Sequence, residues 1–369
     1  MTLFAVIASV FVMSAIAAAQ SRRVAPTPTP TPPDDTERVI TEEVKLNVLA
    51  FDENGKFFSG VTERDLVITD NNILHQPTSV RRIPANVVIV MDTGGELRQV
   101  KSLDKTRGVA RAVVSALAAE DRVAIVQYAD RAEIVSEWTT DRQETLAAIG
   151  RTKFGRKSAF VEAIDIARDL LVKNPADNRH IVLISDGTDS TPGTSAKFDA
   201  FQRLAETDIS VHVISYTALE AADIEPRTKG ISNSPPPRAM PPEVAAQLPN
   251  GARDAATAPK FKTINLDRTL LRRLKARKAD LEDSQEKLDK LAETTNGTFI
   301  LPDTLDEMLE KAPIVARMID AAYVVTYTPK EPIVDRKGLI ERRIEVTSRR
   351  EGLVVQARRR LLFDTTDSK

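Results

Sequence analysis

Four short apolar runs separated by helix-length segments constrain this chain more than any other feature: "VVIVM" at 87–91, "VAIV" at 123–126, "IVLI" at 181–184 and "VHVI" at 211–214. Each is strand-length and almost free of polar residues, as expected of strands covered on both faces. Between them lie amphipathic helical patterns over 100–117, 159–172 and 196–206, and a further β-like piece, "AEIVSEW", follows "RVAIVQY". This alternation predicts an α/β fold, a doubly wound, mostly parallel Rossmann-like sheet with helices on both faces. Ligands of such sheets sit beyond the carboxyl ends of the strands. Asp92 and Asp186 each stand just past the carboxyl end of a run, so their loops are expected to meet on one rim.

The flanks read differently. "RVITEEVKLNVLAFD", the Asn-Gly turn in "ENGKFFSG" and "DLVITDNN" come before the α/β region, and "YVVTYTP", "LIERRIEV" and "LVVQARRRLLF" after it. Residues 38–85 and 323–363 are therefore expected to pair as a small antiparallel β-sandwich, with the α/β domain (86–322) inserted between them. Inside that domain, 218–265 reads as a Pro-rich flexible insertion. Residues 266–296 read as one long amphipathic helix, with Leu274, Leu281 and Leu288 seven apart and Asn296–Gly297 as its stop. Those leucines are expected to pack on the sheet domain, with a partner-binding or self-pairing stripe as the alternative.

At the N-terminus, 1–19 reads as a signal peptide closed by Ala17–Ala19, and 20–37 as a linker whose "APTPTPTPP" favours extended polyproline II. The protein is thus expected outside the cytoplasm, in the periplasm or beyond. An uncleaved inner-membrane anchor through 3–19 is the alternative, and the only membrane contact anticipated.

Composition narrows the chemistry. The chain is near neutral, with 52 Lys+Arg against 53 Asp+Glu, and has no cysteine, which removes disulfide frameworks, thiolate metal sites and cysteine nucleophiles. The three histidines, His75, His180 and His212, pair with no local acid and nucleophile. Arginines 342, 343, 349, 350 and 358–360 lie on alternating faces of antiparallel strands among glutamates, so no nucleic-acid partner is expected. Ser185 lacks a nucleophile elbow, and "DTGG" after the first strand is a poor phosphate cradle, because acids flank it.

Taken in order, "VVIVMDTGGE", "DRVAIVQYADRAEIVSEWTTD", "GRKSAFVEAIDIARDLL" and "HIVLISDGTDS" resemble the successive segments of a von Willebrand factor type A domain. The flanks "VLAFDENGKFFSGVTERDLVITDNN" and "LAETTNGTFILPDTLDEM" resemble the acidobacterial subgroup of exported proteins with this domain. The likeness spans about 44–363 apart from the insertion. It implies a protein-interaction module, not an enzyme, with a metal-ion-dependent adhesion site at the rim. That site is built on Asp-x-Ser-x-Ser, a Thr before a helix and a later Asp, and takes Mg2+, Mn2+ or Ca2+ through hard oxygen ligands.

Carried over residue by residue, Asp92 and Asp186 match the two aspartates, Ser158 stands for the Thr, Glu96 for the second Ser and Gly94 for the first. The implied metal set is Asp92, Glu96, Ser158 and Asp186, degenerate because Gly94 has no side-chain oxygen. Serine at Gly94 and Glu96 would be expected to strengthen it. Read structurally instead, Asp92 and Asp186 accept backbone N–H bonds in turns, Ser158 caps the following helix with Glu162 completing a capping box, and Asp189 is solvated. The leading expectation is an exported adhesion-type module meeting an unknown protein at its rim. The alternatives are a metal-independent envelope scaffold and, less favoured, a phosphate- or nucleotide-binding enzyme using the loop 92–95.

Overall fold

The computed structural model describes residues 43–95, 102–190, 194–229, 231–232, 263–264, 267–331 and 338–364, all within one compact unit, Glu42–Lys369. The expected signal peptide and linker, Glu96 and most of the 218–265 insertion lie outside the described residues. The N-terminal flank supplies β1 (Val44–Phe51), β2 (Leu66–Asp70), β3 (Ile73–His75) and β4 (Ser79–Arg81). The α/β region then runs β5 (Asn86–Asp92), α1 (Leu103–Ala116), β6 (Arg122–Tyr128), β7 (Ala132–Thr139), α2 (Arg142–Arg151) and α3 (Phe160–Val172). It continues through β8 (Arg179–Ser185), α4 (Thr194–Ala205), β9 (Ser210–Ser215) and α5 (Thr217–Ile224). A short ribbon, β10 (Ile231–Ser232) with β11 (Thr263–Ile264), precedes α6 (Arg268–Thr294), β12 (Phe299–Ile300) and α7 (Leu305–Asp320). The C-terminal flank supplies β13 (Ala322–Tyr327), β14 (Leu339–Ser348), β15 (Val354–Ala357) and β16 (Arg360–Asp364).

The central sheet has the order β12-β9-β8-β5-β6-β7, parallel except for β7, which runs antiparallel to β6. Its apolar runs are buried on both faces. Helices α1 and α7 close one face through Val109, Val113, Met308 and Val315. The other is closed by α3, α4 and the C-terminal half of α6, through Phe160, Ile164, Leu204 and Leu288. The long helix is buried along its leucine stripe: Leu288 and Leu291 join the sheet core, whereas Leu274 and Leu281 pack with Ile224 of α5.

Two helices depart from the sequence reading. Helix α2 has a weak apolar pattern but a strong start: Asp141 accepts from Gln143 N at 2.8 Å and Glu144 N at 3.3 Å, satisfying two of the free first-turn donors. Helix α5, "TALEAADI", occupies the first residues of the expected loop insertion, because these residue types favour helix up to the prolines.

The flanks pair with one another as expected. Sheet β15-β1-β13-β4 faces sheet β16-β14-β2-β3, with β1 antiparallel to β13 (Val44↔Tyr327) and β14 to β2 (Ile344↔Asp70). Leu46, Val48, Leu66, Ile68, Tyr323, Val325, Tyr327 and Ile344 share their core. The segment read as one strand, "LVVQARRRLLF", divides between the two sheets, and Arg358 at the break turns inward and is buried. Among the described residues no helix is long and apolar enough to cross a membrane.

Candidate functional site

Strands β5 and β8 are parallel neighbours, Met91 beside Ile184, so Asp92 and Asp186 leave the sheet side by side, both fully buried. Tyr128, at the end of β6 on the other side of β5, reaches across β5, and its hydroxyl shares a hydrogen bond with Ser185 at the end of β8. Burial raises the Tyr128 phenol well above its ordinary pKa, and the nearby carboxylates of Asp92 and then Asp186 push it further. The rim anticipated from the strand pattern is therefore present.

Its cation is an arginine. Nη2 of Arg277, on α6, donates to Asp186 Oδ2 at 3.0 Å and to Glu220 Oε2 at 2.8 Å, while Nη1 donates to Thr188 Oγ1 at 2.8 Å. The other Asp186 oxygen accepts from Thr188 N at 2.8 Å and Thr188 Oγ1 at 2.7 Å. Burial alone would lower the pKa of the Arg277 guanidinium; Asp186 and Glu220 outweigh it and raise the value. Ser284 fastens the same helix to the rim by donating to Asp186 O at 2.7 Å. A second cation, Lys197 Nζ, donates to Gly187 O at 2.6 Å and Ser284 Oγ at 3.1 Å under the same loop. Burial, with Lys287 nearby, lowers its pKa to about 8.

Neither Arg277 nor Ser284 was singled out from the sequence, yet a signal was there. Arg277 is three residues after Leu274 and four before Leu281, and Ser284 is three after Leu281 and four before Leu288. Both lie on the apolar stripe, where a polar residue needs a buried partner.

The remaining rim residues join loops together. Gly94 N donates to Asp92 Oδ1 at 3.1 Å. A Cβ on Gly94 would lie 1.9 Å from Lys157 O and 2.9 Å from the Ala129 Cα, so the α2–α3 loop already fills the space a serine would need. A serine at Gly94, expected together with one at Glu96 to strengthen the site, would meet backbone here: glycine is a packing requirement as well as a missing ligand.

Ser158 does not cap α3; its hydroxyl donates to Thr188 O at 2.6 Å and its N–H to Ser190 Oγ at 2.8 Å. The helix is capped from across the rim by Asp189, whose Oδ2 accepts from Val161 N at 2.9 Å, so Asp189 is not simply solvated. Glu162 does not complete a capping box but accepts from Ala132 N at 3.0 Å.

A divalent ion of the Mg2+ type requires about six oxygens in near-octahedral array. Asp186 has both oxygens engaged, one of them by a guanidinium. Gly94 offers neither oxygen nor room, the Ser158 hydroxyl is turned to a carbonyl, and Glu96 lies outside the described residues. Among the described residues no cluster of three or more His, Asp or Glu suits a metal. The described donor set, as arranged, fits a guanidinium and does not fit a dication.

A family model described as von Willebrand factor type A domain matches residues 87–188, the stretch from β5 to the Thr188 loop. Among solved structures, the chain is similar to a von Willebrand factor type A protein from Catenulispora acidiphila (11% identity, 85% of this chain and 76% of that one, TM-score 0.41). It is similar to the conserved hypothetical protein BatB from Bacteroides thetaiotaomicron (15% identity, 64% and 98%, TM-score 0.37). It is also similar to the manganese-loaded TRAP protein of Plasmodium vivax (9% identity, 86% and 97%, TM-score 0.37). No curated protein matches the chain. With a mostly parallel sheet, two carboxylates at its carboxyl edge and the family match across both, the α/β region of this chain contains a von Willebrand factor type A domain.

Proposed function

We propose that this chain is an exported protein-interaction module whose rim works without a divalent ion. The observation that carries the reading is the Asp186–Arg277 pair at 3.0 Å: the carboxylate a metal would require already has a cation, supplied by the protein's own helix. Type A domains are in general interaction modules, and the loops at the carboxyl edge are the surface available for contact. Export rests on the apolar leader 1–19 and the proline linker, with the inner-membrane anchor as its alternative. The competing reading is metal-dependent adhesion through Asp92, Glu96, Ser158 and Asp186. The enzyme reading loses support because the Gly94 N–H, a phosphate donor in a true cradle, is turned to Asp92.

Calorimetric titration of Mg2+ and Mn2+ into the purified chain tests the point. No binding heat is expected, and capture of an envelope partner should persist in chelator. Micromolar Mn2+ binding that disappears in Asp186→Ala would remove the metal-independent reading and restore the adhesion site.

A further inference from the structure

The rim has an electrostatic character that its buried residues do not reveal. Helix α6 lies on the sheet through Leu288 and Leu291 and reaches the rim at Ser284 and Arg277. The residues before Arg277 therefore continue past the sheet edge, about 13 Å at the helical rise. Arg268, Arg272, Arg273 and Lys275 lie on this projecting segment, all exposed. Among the described residues none of the four side chains has an ion pair or hydrogen bond. Beside Gly94, the α2–α3 loop adds Arg156 and Lys157, also exposed. Their backbone N–H groups donate to Asp130 Oδ1 at 3.1 and 2.9 Å, and among the described residues their side chains have no hydrogen bond or ion pair.

Two features make this more than an ordinary solvated face. Beyond the N-cap Asp267, whose carboxylate is held by Thr269 N and Leu270 N, the first turn of α6 has no acidic residue, and Arg268 sits near the positive end of the helix dipole, where a cation costs local stability. The chain as a whole is near neutral at −1, so a run of exposed cations without side-chain partners at this edge is a local excess and not the consequence of a basic composition. Concentrated, unpaired charge of one sign steers and selects a partner of the other.

We infer that the carboxyl-edge face docks an acidic segment of a partner protein, with Arg156 and Lys157 on one side and the projecting turns of α6 on the other. The inference rests on the interaction-module reading and names the chemistry of the partner. A protein is favoured over a membrane surface because α6 buries Leu274, Leu281 and Leu288 within the molecule. Its projecting turns expose one large apolar side chain, Leu270 at 41 %, too little apolar surface to hold the helix in a headgroup layer.

The test uses the full chain and fluorescent poly-L-glutamate as probe, read by anisotropy at 50 and 300 mM NaCl. Two rim variants, Arg272→Glu/Arg273→Glu/Lys275→Glu and Arg156→Glu/Lys157→Glu, are compared with a sandwich control, Arg343→Glu/Arg349→Glu/Arg359→Glu. Each rim variant should weaken binding roughly tenfold at low salt while the control changes it less than about twofold, and salt should weaken the wild type. All the substituted positions are exposed, and acids at the start of α6 favour the helix, so folding is not at stake.

Equal losses in rim and control variants would overturn the inference. So would tighter binding to phosphatidylglycerol vesicles or duplex DNA than to polyglutamate at the same salt. Envelope capture that both rim variants leave unchanged would overturn the docking face while leaving the interaction-module reading standing.

Discussion

The two ends of the central sheet bury basic groups by opposite means. At the carboxyl edge, Arg277 is matched by carboxylates, Asp186 and Glu220. At the amino edge, where the sandwich meets the sheet, Arg358 donates to the carbonyls of Ala205 (3.1 Å), Thr207, Ile209 (2.6 Å) and Thr295 (3.4 Å). Burial lowers the Arg358 pKa to about 10, only partly opposed by Asp208, whereas the Arg277 value is raised. One end is an internal ion pair. The other is a charged peg set in neutral dipoles, and the two should fail differently when disturbed.

The largest expected effect is at the rim. Arg277→Met leaves the buried Asp186 and Glu220 without a cation, a loss of about 4 kcal/mol by the usual cost of breaking a buried pair. Adding Asp186→Asn should recover at least half of it, because removing both charges costs less than removing one. Urea unfolding of the two single variants and the double variant measures this. Additive losses would mean that the guanidinium is held by packing and not by the carboxylates.

A pH experiment sharpens the contrast from the amino end. Asn178 Nδ2 donates to Ile83 O, so its Oδ1 accepts from His180 Nε2 at 2.8 Å. His180 Nδ1 then accepts from His212 Nε2 at 3.1 Å, and both rings are neutral. His212 Nδ1 has no hydrogen-bond partner among the described residues. Burial lowers both pKa values, that of His212 to about 4. Because the folded values lie below the unfolded 6.5, the unfolded chain takes up protons first as pH falls. Stability is complete above 6.5 and is lost down to about 4, by about 3 kcal/mol for His212. His212→Leu should flatten this part of the profile; an unchanged slope would assign the acid loss elsewhere.

Arg358→Met should cost less, about 2 kcal/mol, since carbonyl acceptors lose donors while a lone buried cation is removed. The decisive quantity is its coupling to Asp208→Asn, expected to be small, because Asp208 acts on Arg358 without a hydrogen bond and is itself paired with Arg179. Coupling as large as that between Arg277 and Asp186 would collapse the distinction between the two ends.

Much of the rim was legible because strand ends are. Asp92 and Asp186 follow from apolar runs that stop at acidic turns, and a parallel sheet brings such turns together. What was not legible depended on which loop meets which. Asp189 caps a helix that precedes it by a strand, Ser158 faces a carbonyl of the same distant loop, and no local pattern encodes either contact. Gly94 was misread for a related reason: a glycine where a ligand is expected looks like a loss until the carbonyl of Lys157 is placed against it. Arg358 was hidden inside "QARRRLLF", where nothing marks which arginine turns inward. Arg277 is the instructive miss, because its place on the leucine stripe was visible and only its partners were not.

The smallest effect tests whether the rim is uniformly an ion-paired end. Lys197 Nζ is directed at a carbonyl and a hydroxyl and lies 5.4 Å from the Phe160 ring centroid, an arrangement closer to that of Arg358 than to that of Arg277. With a folded pKa of about 8 against 10.5, the unfolded chain holds the proton longer. The penalty for burying the charge is complete below pH 8 and is relieved as pH rises. Stability should therefore increase by about 1 kcal/mol between pH 7 and 9, at up to about 1.4 kcal/mol per pH unit. Tyr128 does not interfere, since its folded pKa lies above 10 and its unfolded form ionises only near that value. Lys197→Met should abolish the rise. A wild-type profile already flat from 7 to 9 would mean that Asp283, Asp186 and Asp189 hold the lysine charged after all, and the whole rim would then be of one kind.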